Sequence, residues 1–181
     1  LTCANFEKAL ASRANFQNAN LTKANLFKAE FTRVSFAGAN LGGANMSDGG
    51  FHRNDFTGAN LSGANLTRAI VPRGVFKGAN LTGTDFSQAF LYRSRFEGVD
   101  LTVAKGLTQH QLDEACGDAT TKLPDGISVV EQHIGQASGQ WIFCVRCECG
   151  RRWFDTREIT TAKCPRCGLW VQVKSDPRDS G

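Results

Sequence analysis

The chain of 181 residues lacks the features that mark membrane and exported proteins. No apolar run is long enough to cross a bilayer, so we expect no membrane segment and no membrane partner. The sequence also has no charged, apolar leader followed by small residues, so we expect no signal peptide. Both absences predict a cytoplasmic protein.

Residues that commonly carry catalysis are sparse as well. The three histidines, His52, His110 and His133, are scattered and form no metal-ligating or catalytic group. Carboxylates are scattered in the same way rather than paired, at Glu7, Glu30, Asp48, Asp55 and Glu97. Because no nucleophile, general base and orienting acid converge, the sequence predicts no catalytic residues, no organic cofactor and no enzyme.

What the sequence does contain is a strict repeat of apolar residues with a period of five. Every fifth residue from Leu1 to Leu101 is a large apolar side chain, with Ala11 as the exception, and no insertion or deletion interrupts the series. A period of twenty is superimposed on it. One class holds Phe16, Phe36, Phe56, Phe76 and Phe96, and another holds Leu1, Leu21, Leu41, Leu61, Leu81 and Leu101. A helix would show a period near 3.6, so this fixed short repeat indicates a solenoid whose coil contains four units.

Each unit also has an internal order. The residue two before the apolar centre is small, most often Ala, and the residue between them is often Asn, as at Asn20, Asn40, Asn60 and Asn80. Extended backbone alternates its side chains, so the centre and the small residue point inward while Asn faces water.

The unit Ala-Asn-Leu-x-x, found at residues 19–23, 59–63 and 79–83, resembles the repeat of the pentapeptide-repeat family. The resemblance covers residues 1–103. It implies an all-β fold, a right-handed quadrilateral β-helix of about five coils.

Some members of that family bind DNA gyrase by resembling duplex DNA, which requires an acidic rod. Residues 1–103 carry eleven Lys and Arg against seven Asp and Glu, within a chain of formal net charge +4. The resemblance therefore extends to the fold and not to that activity.

The two ends of the repeat differ. Leu1 is a unit centre without its preceding Ala-Asn pair, so we expect upstream residues to cap the first coil or, as a second interpretation, a homodimer contact through a terminal coil. Residues 104–117 predict a capping helix, with Thr108 and Gln111 as a capping box and Gly117 as its end. Its apolar face would bury Cys116 as a small hydrophobe rather than a reactive thiol.

The remaining chain divides into a connector at 118–140, a small module at 141–174 and a polar tail at 175–181. The small module resembles a zinc ribbon, because two cysteine pairs lie fourteen residues apart. Four thiolates suit one structural Zn²⁺ in a closed tetrahedral site.

Five cysteines compete for the four ligand positions. Gly150 follows Cys149 as Gly168 follows the last cysteine, which favours Cys147 and Cys149 as the first pair and leaves Cys144 in a strand. The preferred ligands are Cys147, Cys149, Cys164 and Cys167. Two alternatives remain, namely Cys144 in place of Cys149, because its spacing to Cys147 is the commoner one, and disulfide formation.

The basic charge of the repeat is ordered. One Arg recurs every twenty residues, which defines the Arg ladder: Arg13, Arg33, Arg53, Arg73 and Arg93. At a coil spacing of roughly 4.8 Å the ladder would span about 19 Å. Apolar and aromatic residues share its face, at Leu10, Ile70, Phe90, Pro72 and Tyr92, together with His52. This basic, partly aromatic strip is the candidate interaction surface.

Three interpretations of the strip remain open. The Arg stems could simply pack over the neighbouring coil with their heads in water. The connector or the ribbon of the same chain could cover the strip. An external partner of negative charge, either an acidic protein or a nucleic acid, could bind it.

The preferred function is a non-catalytic protein-interaction scaffold with an unidentified protein partner. The alternative is a nucleic-acid-binding protein that contacts phosphates through the Arg ladder and the basic ribbon. The ribbon residues concerned are Arg146, Arg151, Arg152 and Arg166.

Overall fold

The computed structural model describes residues 1–113, 115–118 and 120–127, together with four short strands between residues 143 and 172. Several predictions fall outside these residues. They concern most of the connector, the polar tail and the four preferred zinc ligands, Cys147, Cys149, Cys164 and Cys167. Among the helices of the described part, none is long and apolar enough to cross a bilayer.

The repeat forms a β-helix in which residues twenty apart pair as parallel neighbours. Four positions of each coil make these bridges, for example Asn5 with Asn25 and Asn15 with Ser35. On one side the pairing lengthens into a three-stranded parallel sheet of β1 (Leu10–Ser12), β2 (Glu30–Thr32) and β3 (Gly50–His52). Their register is also twenty, so the longer period of the sequence is the coil of the fold.

Each corner is a tight turn with one residue in the left-handed region. The amide of Ala4 donates to the carbonyl of Leu1 at 3.0 Å, and other corners repeat this bond. The left-handed residue lies two after the apolar centre, with φ from 54° to 59° where it is not glycine. Asn side chains support the corner, since Asn20 Oδ1 accepts from the amide of Thr22 at 3.1 Å. This short-range bond explains why Asn is frequent in the unit.

The core consists of stacked columns of identical or similar side chains. The Phe16 to Phe96 column has centroid separations of 5.5, 5.2, 5.0 and 4.9 Å along the chain, with interplanar angles of 10° or less. The Leu column from Leu21 to Leu101 is fully buried. Each such side chain contributes about 1.5–3 kcal/mol through burial, so the columns supply the main driving force for coiling.

The end of the repeat is closed by a short helix, α1 (Gln109–Asp113), which is shorter than the predicted segment 104–117. Thr108 and Gln111 form the capping box: the Thr108 amide donates to Gln111 Oε1 at 2.9 Å, and the Gln111 amide donates to Thr108 Oγ1 at 3.4 Å. Leu112, Ala115 and Cys116 are buried against the last coil.

The parallel backbone pairing continues after α1, beyond the end of the five-residue repeat. Cys116 bridges to Arg95 and Lys122 bridges to Asp100, at offsets of 21 and 22 instead of twenty. The chain thereby adds paired backbone to an edge that would otherwise be open, which sequence periodicity did not predict.

Two small antiparallel sheets lie in the C-terminal part. Strand β4 (Phe143–Arg146) pairs with β5 (Arg152–Asp155), and β6 (Thr161–Lys163) pairs with β7 (Trp170–Gln172). The sequence joining β4 to β5 contains one of the preferred cysteine pairs, and the sequence joining β6 to β7 contains the other. Cys144 itself lies in β4, opposite Phe154.

Candidate interaction surface

The Arg ladder lies along one corner of the β-helix, at the end of the side that contains β1, β2 and β3. We call this side the ladder face; it comprises residues 10–13, 30–33, 50–53, 70–73 and 90–93. All five ladder arginines are exposed. No described residue buries them, so within the part of the chain that the structure describes the ladder is accessible.

The backbone of the ladder corner does not favour arginine. All five arginines have φ between 55° and 58°, in the left-handed region where glycine is preferred. The next corner of the same coils indeed carries Gly38, Gly58, Gly78 and Gly98. A left-handed L-residue costs roughly 1–2 kcal/mol. Other corners also carry residues such as Asn18 and Lys23 at this position, so the turn itself does not select arginine.

The guanidinium groups of Arg13, Arg33, Arg53 and Arg73 make no ion pair with any described residue. Other arginines of the β-helix do. Arg68 forms two bonds of 2.7 Å to the Asp48 carboxylate, which holds the pKa of Asp48 below its usual value. These four arginines therefore keep their positive charge available, while Asp48 and Arg68 on a neighbouring corner neutralise each other.

A shallow groove of about 420 Å³ crosses the middle of the ladder face. It is lined by Glu30, Thr32, Arg33, His52 and Arg53. The Glu30 carboxylate lies over Gly50, in the space that a side chain at residue 50 would occupy. Four groups that can donate to an anion, two of them guanidinium groups, thus line the groove together with one carboxylate.

An apolar shelf adjoins this groove toward the C-terminal coils. Ile70 is 46% exposed and Phe90 is 48% exposed, although both lie at positions where other sides carry polar residues. The Phe90 and Tyr92 rings lie nearly parallel, with centroids 6.1 Å apart, and the Arg93 guanidinium lies 5.2 Å from the centre of the Tyr92 ring. Leu10, at the far end of the face, is 81% exposed.

The outward Asn residues of another side differ from the ladder face because they bind one another. Asn60 Nδ2 donates to Asn40 Oδ1 at 3.1 Å, and Asn80 Nδ2 donates to Asn60 Oδ1 at 3.2 Å. These amides are partnered within the fold. The ladder face is the side on which exposed apolar area coincides with arginines that lack a described ion-pair partner.

Cys116 has the environment of a structural side chain. Burial, followed by the nearby Glu97 carboxylate, raises the pKa of its thiol to about 11. The thiol is therefore protonated at neutral pH and a poor nucleophile. This agrees with its prediction as a buried hydrophobe.

The described residues contain no group of three or more His, Cys, Asp or Glu placed to hold a metal. The preferred zinc ligands lie outside that part of the chain, so their assignment stays a prediction. Of the ribbon arginines, Arg146 and Arg152 are opposite each other across β4 and β5.

Sequence reasoning found the ladder, the apolar residues beside it and His52, but it missed the groove. Glu30 was noted only as a scattered carboxylate, and Gly50 was not noted. The available signal was the glycine at an outward position of the central coil, which leaves room for the side chain twenty residues earlier.

Comparison with known proteins identifies the repeat. The family model described as "Pentapeptide repeats (8 copies)" matches residues 1–36, 35–71 and 73–103. No curated protein sequence matches the chain significantly.

Solved structures of pentapeptide repeat proteins are similar to it. One, from the thylakoid lumen of Arabidopsis thaliana, is 33% identical, with 50% of this chain and 67% of that chain covered and a TM-score of 0.42. HetL of Nostoc sp. strain PCC 7120, involved in heterocyst differentiation regulation, is 27% identical, with 70% and 62% covered and a TM-score of 0.31. A third, also from Nostoc PCC 7120, is 23% identical, with 61% and 85% covered and a TM-score of 0.48. The family match spans more than half of the sequence, and the chain therefore belongs to the pentapeptide-repeat family.

Proposed function

We propose that this protein is a non-catalytic protein-interaction scaffold that presents its ladder face to a protein partner. The observation that carries the proposal is the coincidence of the exposed side chains Ile70 and Phe90 with arginines that have no described ion-pair partner. Exposed apolar area bordered by charge is typical of interaction sites. Tyr and Arg, both present here, are enriched among residues that dominate binding.

The repeat suits this role because its columns and ladders make a rigid platform. A surface that is ordered before binding loses little conformational entropy when a partner docks. Family membership supports a role of this kind, since repeat solenoids commonly expose extended binding surfaces.

Co-purification from extract of the source cells tests the proposal. Wild-type protein should retain a reproducible protein partner, which the double variant Arg53→Gln/Phe90→Ser should lose. A matched control, Lys23→Gln/Phe27→Ser, removes one cation and one aromatic side chain from other faces and should retain it. Equal recovery of the same partners by wild type and the ladder-face variant would contradict the proposal.

Nucleic-acid binding is the second candidate, favoured by the accessible charge of the ladder. Fluorescence anisotropy with duplex and single-stranded oligonucleotides should then show affinity that falls steeply with salt. Replacing Arg33, Arg53 and Arg73 by Gln should reduce the slope of log affinity against log salt concentration. The reduction should be the amount expected from losing about three phosphate contacts. Absence of binding at low salt would exclude this candidate. DNA mimicry is not proposed, because the repeat is basic.

We also propose one structural Zn²⁺ bound by Cys147, Cys149, Cys164 and Cys167. Placement of the two cysteine pairs in the sequences that join β4 to β5 and β6 to β7 supports this ligand set. The position of Cys144 within β4 favours Cys149 over it. A reducing compartment such as the cytoplasm would keep the four thiolates available for metal.

Elemental analysis of protein purified under reducing conditions tests the zinc proposal. We expect one zinc per chain in the wild type and in Cys144→Ser, and none in Cys164→Ser or Cys149→Ser. Loss of zinc in Cys144→Ser with retention in Cys149→Ser would replace the first ligand pair by Cys144 and Cys147. Metal-free wild-type protein would overturn the zinc assignment.

The predicted right-handed winding and count of about five coils are part of the proposed architecture. Five successive bridges, from Asn5 to Lys105 in steps of twenty, support that count. A homodimer through a terminal coil stays a prediction, which analytical ultracentrifugation of the full chain would test.

A further inference from the structure

The ladder face has two chemically different parts on successive coils. The groove lined by Arg33, His52 and Arg53 is basic, and the shelf of Ile70 and Phe90 is apolar. The groove belongs to the coils of β2 and β3, and the shelf begins one coil later. A single ligand could therefore occupy both parts.

The groove is built to accept a carboxylate. Arg33 and Arg53 are on adjacent coils, about 4.8 Å apart along the backbone, so their side chains can reach a common anion. Guanidinium groups bind carboxylates with paired, charge-assisted hydrogen bonds. Neither arginine has a described ion-pair partner, even though Glu30 lines the same groove.

The shelf is built to accept a large apolar side chain. Half of the Ile70 and Phe90 surface is exposed, and the Tyr92 ring extends the surface beside Phe90. Arg33 and Phe90 are three coils apart, which corresponds to about 14 Å along the axis. About four residues of extended chain would span this distance. An acidic residue and an apolar residue separated by a few positions in one segment would reach both sites.

We propose that the partner supplies a polypeptide segment with carboxylate side chains close to a large apolar side chain. The carboxylates bind between Arg33 and Arg53, and the apolar side chain packs on Ile70 and Phe90. This inference rests on the proposed function and adds the chemistry of the partner to it.

Two observations favour a polypeptide over a nucleic acid. Glu30 lines the groove, where its negative charge opposes a continuous row of phosphates more strongly than the carboxylate of one side chain. The opposite edge of the face is not uniformly basic, because Asp48 neutralises Arg68 and Gln88 follows it on the next coil.

Selection of a random dodecapeptide phage library on the full protein tests the proposal. We expect enriched peptides to carry Asp or Glu within a few positions of Trp, Phe or Leu. The same selection on Arg33→Gln/Arg53→Gln should lose the acidic enrichment, and selection on Ile70→Ser/Phe90→Ser should lose the apolar enrichment. The control Lys23→Gln/Lys77→Gln, which removes two charges from other corners, should reproduce the wild-type result.

Affinities of a synthetic enriched peptide give a second readout. Arg33→Gln/Arg53→Gln should weaken binding about ten-fold, whereas Glu30→Gln should strengthen it about three- to five-fold, as expected for partly exposed charge pairs. A general loss of folding would weaken binding in both variants. Opposite changes in affinity would therefore identify contacts within the groove. Circular dichroism of each variant should match the wild type.

Several results would overturn the inference. They are an absence of enrichment, enrichment of basic or neutral peptides, unchanged enrichment on Arg33→Gln/Arg53→Gln, and tighter binding of a twenty-nucleotide oligothymidylate than of the selected peptide. If co-purification still depends on the ladder face, such a result removes the acidic-segment inference alone. If co-purification does not depend on that face, the proposed function fails independently.

Discussion

At the scale of single residues, each unit combines a local backbone requirement with a side-chain choice. The corner needs a left-handed residue, and glycine meets that need at Gly58 and Gly78. The ladder corner instead uses arginine throughout, with φ near 56° at Arg53. Buried hydroxyls replace alanine at two inward positions without leaving donors unpaired, since Thr84 Oγ1 donates to Leu61 O at 2.7 Å and Ser94 Oγ donates to Val71 O at 2.5 Å.

Arg53→Gly separates the role of the backbone from that of the side chain. Relief of left-handed strain and the greater entropy of unfolded glycine oppose each other, so we expect the free energy of unfolding to change by less than about 1 kcal/mol. Arg53→Val should lose about 1–2 kcal/mol, because a β-branched residue is poorly tolerated at this φ. Urea denaturation measures both. A loss above about 2 kcal/mol in Arg53→Gly would instead favour a structural role for the arginine stem.

Cys116 should resist alkylation in the native protein. Its buried thiol has a pKa of about 11, so little thiolate forms at pH 8, whereas Cys3 is exposed. We expect iodoacetamide to label Cys3 and to spare Cys116 until urea unfolds the chain, as read by peptide mass spectrometry. Rapid labelling of Cys116 without denaturant would show that the cap opens readily.

At the scale of elements, the repeat is stabilised by columns and closed by a helix. In the Phe column, the centroids of the five rings are separated by about 5 Å. The corner turns keep successive coils at this separation. Helix α1 is hydrogen-bonded to this stack by Gln111, whose Nε2 donates to the carbonyls of Phe86 and Ala89 at 2.7 and 3.0 Å. The same Gln111 completes the capping box with Thr108. One residue therefore caps the start of the helix and attaches it to the last coil.

Gln111→Ala should lower the free energy of unfolding by about 2–3 kcal/mol. The change removes the capping box and leaves two part-buried carbonyls without this donor. Gln111→Glu is the matched variant, since it can still accept from Thr108 but cannot donate to the two carbonyls when ionised. It should also destabilise. Thermal unfolding of both variants measures the effect, and an unchanged midpoint in Gln111→Ala would contradict this account of the cap.

At the scale of the whole molecule, the coils stack along one axis. The backbone bridges, the core columns and the Arg ladder all run parallel to that axis. Parallel β-bridges extend from Asn5 to Lys122, past the end of the five-residue repeat. Carboxylates along this length are stabilised in their ionised form. Hydrogen bonds lower the pKa of Asp85, chiefly from Ser87, and of Asp100, from Thr102 and Lys122. Burial alone raises the pKa of Asp118, but hydrogen bonds from Thr120, the Gly98 amide and Thr121 outweigh it, so the net shift is downward.

The protein should therefore lose stability in acid. A carboxyl group whose folded pKa is depressed adds stability above its unfolded value, near 3.8, and that stability is lost as pH falls through the lower folded pKa. We expect the midpoint of urea unfolding to decrease from pH 5 downward. Asp85→Asn, which can still accept from Ser87 but does not titrate, should show a shallower decrease. A pH-independent midpoint between pH 5 and pH 2 would contradict the prediction.

The periodic part of the structure follows from the sequence pattern alone. Apolar centres at every fifth residue, small residues two before them and Asn between them specify the coil, because each choice acts locally and recurs at a fixed interval. The twenty-residue period placed Arg13 to Arg93 in one row, and the three-residue spacing of Thr108 and Gln111 predicted the capping box. Periodicity could not predict Cys116 and Lys122 as continuing bridges, since their offsets differ from twenty.

Which charges are available on the surface depends on contacts that form only in the folded protein. Asp48 pairs with Arg68 from the next coil, yet Glu30 lies over Gly50 and makes no ion pair with Arg33 or Arg53 among the described residues. The sequence shows each of these residues, but outward side chains choose partners by rotamer and by the space left on neighbouring coils. Inward side chains have one direction and one column, so their pattern suffices to place them. The fold therefore follows from the repeat, whereas the groove depends on how the outward side chains are arranged in the folded protein.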